Sequence, residues 1–216
     1  MPYKALRKNP SAPQVDARIL AALRDIPVAA LSDNMHRNIG TTGLLPYHRP
    51  VAGTLAGTAV TARSRGGDNL TYLRALEFCR PGDVLVVDAG GDLANAVVGG
   101  ILSFYAAHIG VAGVVIDGAV RDVAEIRARE FPVYARGVTH RGPYKDGPGE
   151  INVPVSVGGM VVNPGDIVVG DQDGLMAFAR DEAELLIEKA RAHLATEAET
   201  IRAMKEGRWD RAFIDA

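Results

Sequence analysis

The sequence predicts one α/β domain, and three patterns carry the prediction. From residue 69 to residue 135 helical and strand-like segments alternate, an arrangement that leads to parallel pairing through right-handed crossover connections. Two apolar runs within that stretch, Val84-Leu-Val-Val87 and Val111-Ala-Gly-Val-Val-Ile116, read as strands. Helical spacing of apolar residues marks both ends of the chain, with short helices near the start and a long one after residue 181.

At 216 residues the chain can bury a sizeable core as one large domain or two small ones. Its formal net charge of −2 argues against a general binder of nucleic acid or anionic membrane. The single cysteine, Cys79, excludes an intramolecular disulfide, and its apolar neighbours Leu73, Leu76 and Phe78 mark it as a buried structural thiol. No apolar stretch reaches the roughly 20 residues that a membrane-spanning helix needs, and the polar first 15 residues lack the apolar centre of a signal peptide. A cytoplasmic protein is expected.

Residues 1–12, which include Pro2 and Pro10, are expected to form a loose arm before a domain spanning 13–180. Helices follow at 15–23 (Ile19, Leu20, Leu23) and 28–37, where Leu31 and Met35 share a face. Ser32, Asp33, Asn34 and His36 in the second helix either cap it or face a site. A loop at 43–50 leads to a strand at 53–62, whose small and β-branched residues suit a packed sheet. After a turn holding Arg65, Asp68 or Asn69 can cap a helix over 70–79.

The pattern continues with a strand at 83–88 after Pro81-Gly82, a helix-like stretch at 89–108 and a strand at 111–116. Gly118 is read as a turn, followed by a helix at 123–130 and a strand at 132–135. Residues 138–150 form a glycine- and proline-rich loop carrying His140, Arg141, Lys145 and Asp146. Period-two alternation over 151–157, then Gly158-Gly159 and residues 160–162, predicts a hairpin. Pro164-Gly165-Asp166 repeats the earlier turn-and-strand device, ending at Asp171, and Asp173-Gly174 turns into a last strand at 175–178. In the long helix from 181 to about 206 the apolar residues Leu185, Leu186, Leu194 and Ile201 thin out, so 181–216 is expected to lie at a subunit interface.

Two segments have the composition of a binding site. If Gly99-Gly100-Ile101-Leu102 opens a helix, its first N–H groups lack intrahelical acceptors, and the glycines let an anion approach them. Close packing of helix on sheet explains the glycine pair equally well. Arg121-Asp122 ends a strand, the edge where ligands bind in open α/β sheets. A guanidinium there suits a carboxylate or carbonyl oxygen, and a carboxylate suits a hard cation such as Mg²⁺. A surface ion pair is the plainer reading of the same two residues.

The run Ala112-Gly-Val-Val-Ile-Asp-Gly-Ala-Val-Arg-Asp122, with Gly99-Gly100-Ile101-Leu102 upstream, resembles the RraA-like family. Leu31-Ser-Asp33, Gly67-Asp-Asn-Leu70, Pro81-Gly-Asp-Val-Leu-Val-Val-Asp88 and Gly149-Glu-Ile-Asn-Val-Pro-Val-Ser-Val157 extend the resemblance over residues 28–178. That family includes divalent-metal-dependent pyruvate aldolases acting on 4-hydroxy-4-methyl-2-oxoglutarate and 4-carboxy-4-hydroxy-2-oxoadipate. Its spacing signature places twenty residues between an acid or glycine and Arg-Asp, as between Gly100 and Arg121-Asp122 here. The resemblance implies a swivelling β/β/α single domain, assembled as a homotrimer or homohexamer with sites between subunits. It implies that the backbone at Gly99, Gly100, Ile101 and Leu102 holds a substrate carboxylate. Arg121 would act on the 2-oxo oxygen, and Asp122 would bind Mg²⁺ or Mn²⁺.

By the same resemblance the substrate is a small 2-oxo acid, cleaved to pyruvate enolate, with oxaloacetate decarboxylation as a related activity. Neither nucleic acid nor membrane is an expected partner. One departure stands out, because the family's characterised aldolases carry an acid where this chain has Gly100. Asp88, Asp92 and Glu125 are candidates to replace it. Glu197, Glu199 and Glu206 are candidates for the acid that a neighbouring subunit supplies. Two alternatives remain open: a lyase for another hydroxy-oxo acid, with Gly100 leaving room for a bulkier group, and a non-catalytic regulator that binds a ribonuclease. No histidine pair has metal-ligand spacing, and His36, His108 and His193 read as structural or solvated, leaving His140 as the one to test.

Overall fold

The computed structural model describes residues 6–211 apart from 36 and 38. His36, Pro2 and the apolar tail residues Phe213 and Ile214 therefore lie outside the described residues. The chain order is β1 (Leu6–Lys8), α1 (Ala17–Leu23), α2 (Val28–Asp33), β2 (Leu45–Pro46), β3 (Leu55–Ser64), α3 (Leu70–Ala75) and β4 (Asp83–Asp88). Then come β5 (Ala96–Val98), α4 (Gly100–His108), β6 (Gly113–Val120), α5 (Val123–Arg127), β7 (Val133–Val138) and β8 (Gly149–Ile151). The rest is β9 (Val155–Val157), β10 (Met160–Val162), β11 (Ile167–Gly170), β12 (Leu175–Phe178) and α6 (Ala183–Lys205). This is the expected mixed α/β single domain, with helices at its start and a long helix at its end.

Its centre is the parallel run β3-β4-β6-β7, as the alternation over 69–135 requires. The two apolar runs are strands because both of their faces are covered. Val84 and Val86 of β4 pack with α1, α2 and α6, while Leu85 and Val87 pack with α3, α4 and α5. Val115 in β6 faces the first core, and Val114 and Ile116 face the second. Burying each such side chain contributes about 1.5–3 kcal/mol, which outweighs any local preference of the segment. Antiparallel β11 and β8 extend one side of β3, and β9–β10 is the predicted hairpin.

Several local readings are corrected. Leu6–Lys8 of the expected arm pairs in parallel with β8, held further by the Asn9 and Asn152 side chains, which donate to each other's backbone carbonyls at 3.0 Å. The loop at 43–50 contains β2, paired with β7. The stretch 89–108 is not helical throughout, since Gly90 and Gly91 both take positive φ and the chain then forms β5 before α4. Gly118 is no turn, because β6 runs on through it to Val120 with Ala89 packed against its face. Residues 151–157 are split by Asn152 at φ 55°, which ends β8. Helix α2 stops at Asp33, earlier than expected, and Asp33 pairs with Arg37 and His193 instead of facing a site. Cys79 is half-buried against the second core instead of fully buried, and burial pushes its thiol up to about 12.

The long loop after β7 is fixed by one carboxylate. Asp68 is fully buried and accepts hydrogen bonds from the N–H groups of Leu70 (2.9 Å), Asp146 (2.7 Å) and Gly147 (2.9 Å). Through the Leu70 N–H it holds the first turn of α3, whose N-cap position is Asn69 with no side-chain bond, and through the other two it staples the loop. Asp68→Asn leaves an amide donor facing one of these N–H groups and should cost about 1–3 kcal/mol in chemical denaturation. Limited proteolysis of the folded variant should cut first within 139–148.

Candidate functional site

The site forms where β6 hands over to α5 against the first turn of α4. Arg121 follows β6 directly, its N–H bonded to Val98 O at 3.0 Å, so β5 fixes its backbone. Asp122 adopts a left-handed conformation, φ 59° and ψ 38°, which is unfavourable for most L-residues and tolerated best by Asp, Asn and Gly. That turn aims its carboxylate back at α4 instead of at the start of α5, and Oδ2 accepts the Gly100 N–H at 3.0 Å. Arg121 Nε lies 3.6 Å from the same Oδ2.

The two glycines are closely approached, Gly99 by the Arg121 stem and the Asp122 carboxylate, Gly100 by the movable end of Glu125. A Cβ on Gly99 would strike Asp122 Oδ2 and lie 2.9 Å from Arg121 Cγ. A Cβ on Gly100 would fall on Glu125 Oε2, with Asp122 Cβ 3.4 Å away. The Glu125 carboxylate thus occupies the space that a side chain at position 100 would fill. Of the three candidates for the missing acid, it is the one the fold brings there. Asp88 instead accepts from Gly90 and Ser156 N–H groups, and Asp92 from Ala94 while packing against Gly66 and Gly67. The expected room for a bulkier group at Gly100 is filled by Glu125.

Not every backbone donor of the Gly99–Leu102 turn is free. Ser103 N–H finds Gly99 O at 3.0 Å and Gly100 N–H is taken by Asp122, which leaves the N–H groups of Ile101 and Leu102 without a protein acceptor among the described residues. Ile101 is 81% exposed, so this end of α4 opens outward. The side chains of Arg121 and Asp122 are each 41% exposed and that of Glu125 is 61% exposed, so the cluster sits on an open face.

The stapled loop forms the opposite wall. Ala96 N–H donates to Arg141 O at 2.9 Å and the Asn95 side chain to Gly142 O at 2.6 Å, so the loop crosses with Gly142 against Arg121. A Cβ at Gly142 would lie 2.9 Å from Arg121 Nη1. His140 is an exposed residue of this wall, whereas Arg65 is drawn off over the Tyr144 ring, 5.5 Å from its centroid. Asp117 sits inside β6, ion-paired with Arg136 and accepting Gly158 N–H at 2.8 Å. Glu197 and Glu199 on α6, and Glu206 just after it, pair locally with His193, Arg202 and Arg208.

Asp122 and Glu125 offer oxygen donors on either side of the Gly100 backbone, a set that fits a hard divalent cation. Among the described residues no group of three or more Asp, Glu, His or Cys could hold a metal, so a cation here would keep most of its shell as water. No helix among the described residues is long and apolar enough to cross a membrane.

Several known proteins are similar to this chain over most or part of its length. A relative from Halalkalibacterium halodurans, provisionally named a 4-hydroxy-4-methyl-2-oxoglutarate aldolase, is 36% identical over 195 residues, 89% of this chain and 91% of its own. A Thermus thermophilus protein named 4-hydroxy-4-methyl-2-oxoglutarate aldolase is 42% identical over 109 residues, half of this chain and 66% of its own. The crystal structure of Streptomyces coelicolor RraAS2, described as an unusual member of the RNase ES inhibitor RraA protein family, superposes with a TM-score of 0.78. It shares 28% identity, covering 87% of this chain and 97% of that one. Residues 28–177 match the family described as RraA-like: Aldolase/RraA, and the chain belongs to that family.

Proposed function

We propose that this protein is a divalent-metal-dependent carbon–carbon lyase that releases pyruvate from a small 2-oxo acid. The substrates proposed are 4-hydroxy-4-methyl-2-oxoglutarate or 4-carboxy-4-hydroxy-2-oxoadipate, with oxaloacetate decarboxylation as a companion activity. The observation that carries the reading is the meeting of Arg121, Asp122 and Glu125 around a side-chain-free turn. The relatives named as aldolases support it.

In this reading Asp122 holds Mg²⁺ or Mn²⁺ directly, and Glu125 orients its waters from the place where other family members carry an acid at position 100. The cation, when bound, supplies Lewis-acid charge to the substrate's oxygens. The free N–H groups of Ile101 and Leu102 take the substrate carboxylate at the positive end of α4. Arg121 donates to the 2-oxo oxygen. As the C3–C4 bond breaks, its electron pair moves toward that oxygen and Arg121 stabilises the developing negative charge. A water held by Glu125 accepts the 4-hydroxyl proton, C4 becomes a carbonyl, and protonation at C3 completes pyruvate. Decarboxylation of oxaloacetate passes through the same enolate and needs no base for a hydroxyl.

The open face around the cluster fits a homo-oligomer, trimer or hexamer, in which a neighbouring subunit closes the site. A cytoplasmic location fits the small-molecule chemistry. A second reading, a regulator that binds a ribonuclease, is favoured by the similarity to the Streptomyces structure. Capture of a ribonuclease by the purified protein, with no turnover of any 2-oxo acid, would favour it over the lyase.

A screen of 2-oxo acids with Mg²⁺ or Mn²⁺, with pyruvate release coupled to a dehydrogenase, tests the lyase directly. Arg121→Ala should lower kcat by about 10²–10³, the usual cost of removing an oxyanion donor. Asp122→Asn tolerates the left-handed backbone, so it should keep the wild-type melting temperature while abolishing metal-dependent turnover. Metal-dependent oxaloacetate decarboxylation surviving in both variants would end the assignment. The exchange of acids makes a second test. Gly100→Asp alone should impair the enzyme, because the new side chain meets Glu125, and Gly100→Asp with Glu125→Ala should restore metal-dependent activity.

A further inference from the structure

Arg129 touches three parts of the cluster at once. Its Nη1 donates to Gly100 O at 2.9 Å, its Nη2 lies 3.9 Å from Glu125 Oε2, and its guanidinium sits 5.2 Å over the Phe104 ring. Ser103 Oγ also donates to Gly100 O, at 2.9 Å. Gly100 is thereby gripped from both ends, its N–H by Asp122 and its carbonyl by Arg129, with the Glu125 carboxylate lying across its Cα.

A Glu125 side chain 61% exposed has little else to hold it there. Lone exposed glutamates sample several rotamers, and an i,i+4 ion pair alone holds one only weakly. Arg129 is better anchored than most surface arginines, because the Gly100 carbonyl and the Phe104 face fix the plane of its guanidinium. Its free edge is then presented to Glu125.

We propose that Arg129 is a positioning residue that holds the Glu125 carboxylate over Gly100 and so completes the cation site. Its functional consequence rests on the lyase reading, but the placement of Glu125 does not. Arg129 touches neither the proposed substrate nor the reacting atoms and acts through Glu125. Electrostatics alone points the other way, since removing a cation beside two carboxylates should tighten the binding of a divalent ion. The direction of the change therefore separates positioning from mere proximity.

The test measures Mn²⁺ binding to the full-length protein by electron paramagnetic resonance, without substrate, for wild type, Arg129→Met, Arg129→Lys, Glu125→Gln and the Arg129→Met/Glu125→Gln pair. Arg129→Met should weaken Mn²⁺ about tenfold, the low end of what partners behind a metal ligand contribute. Arg129→Lys should recover part of the loss, and the Met substitution should have no further effect once Glu125 is Gln. Unchanged or tighter binding in Arg129→Met, or a loss of equal size in the Glu125→Gln background, overturns the proposal. Metal-free crystal structures of wild type and Arg129→Met supply an independent arm. The Glu125 carboxylate should leave Gly100 only in the variant, and an unmoved carboxylate also overturns the proposal. A wild type that binds no Mn²⁺ fails the lyase reading instead, and the crystal structures then still decide the placement.

Discussion

The bond from Asp122 Oδ2 to the Gly100 N–H joins two parts of the chain that are 22 residues apart, at the corner where β6 ends and α4 begins. It forms only because three unusual local choices coincide. Asp122 accepts a left-handed backbone, Gly99 has no Cβ to hold the carboxylate away, and Gly100 leaves its own face open. Change any one and the other two lose their purpose. Around this corner the remaining polar groups fall into place: Arg121 beside the same oxygen, Glu125 one helical turn on, and the stapled loop with Gly142 against Arg121.

The sheet beneath makes such a corner possible. Its central strands are apolar on both faces, so their register is set by burial and their carboxyl ends are placed to within the tolerance of a packed core. The polar groups that interrupt this pattern are each accounted for by a specific partner. Asp117 holds Arg136 and the Gly158 N–H, and Asp68, in the turn after β3, holds the first N–H of α3 and two in the loop after β7. Both tie irregular segments to the sheet, which is why the ten-residue loop 139–148 can serve as a wall.

Much of the fold was legible in the sequence, because hydrophobic periodicity and Pro-Gly turns report directly on burial and chain reversal. The strands at 83–88 and 160–162 and the helix start near Asp68 and Asn69 follow from such local signals. The short strands β1, β2 and β5 did not show, since none has a hairpin partner beside it in sequence and each is defined by a more distant strand. At the site, Arg121, Asp122 and the glycine turn were readable from their spacing and family resemblance. The part played by Gly100 N–H was not, because a backbone donor taken by a distant carboxylate leaves no mark on composition. Glu125 stood among three candidates of equal chemical merit, and only the helical turn of α5 distinguishes it. After Asp117 the register between β6 and β7 shifts, and this carries the strand on to Val120 before the site residues begin.

The two cores on opposite faces of the sheet also divide the molecule's freedom to vary. The corner with Arg121, Asp122 and Glu125 rests on the layer of α3, α4 and α5, while α6 rests with α1 and α2 on the other. The α6 face and the corner therefore draw on separate sets of side chains, so each can be altered with the other as an internal control. Any enlargement at Gly99 meets Asp122 and Arg121 at once, whereas at Gly100 it meets first the movable end of Glu125.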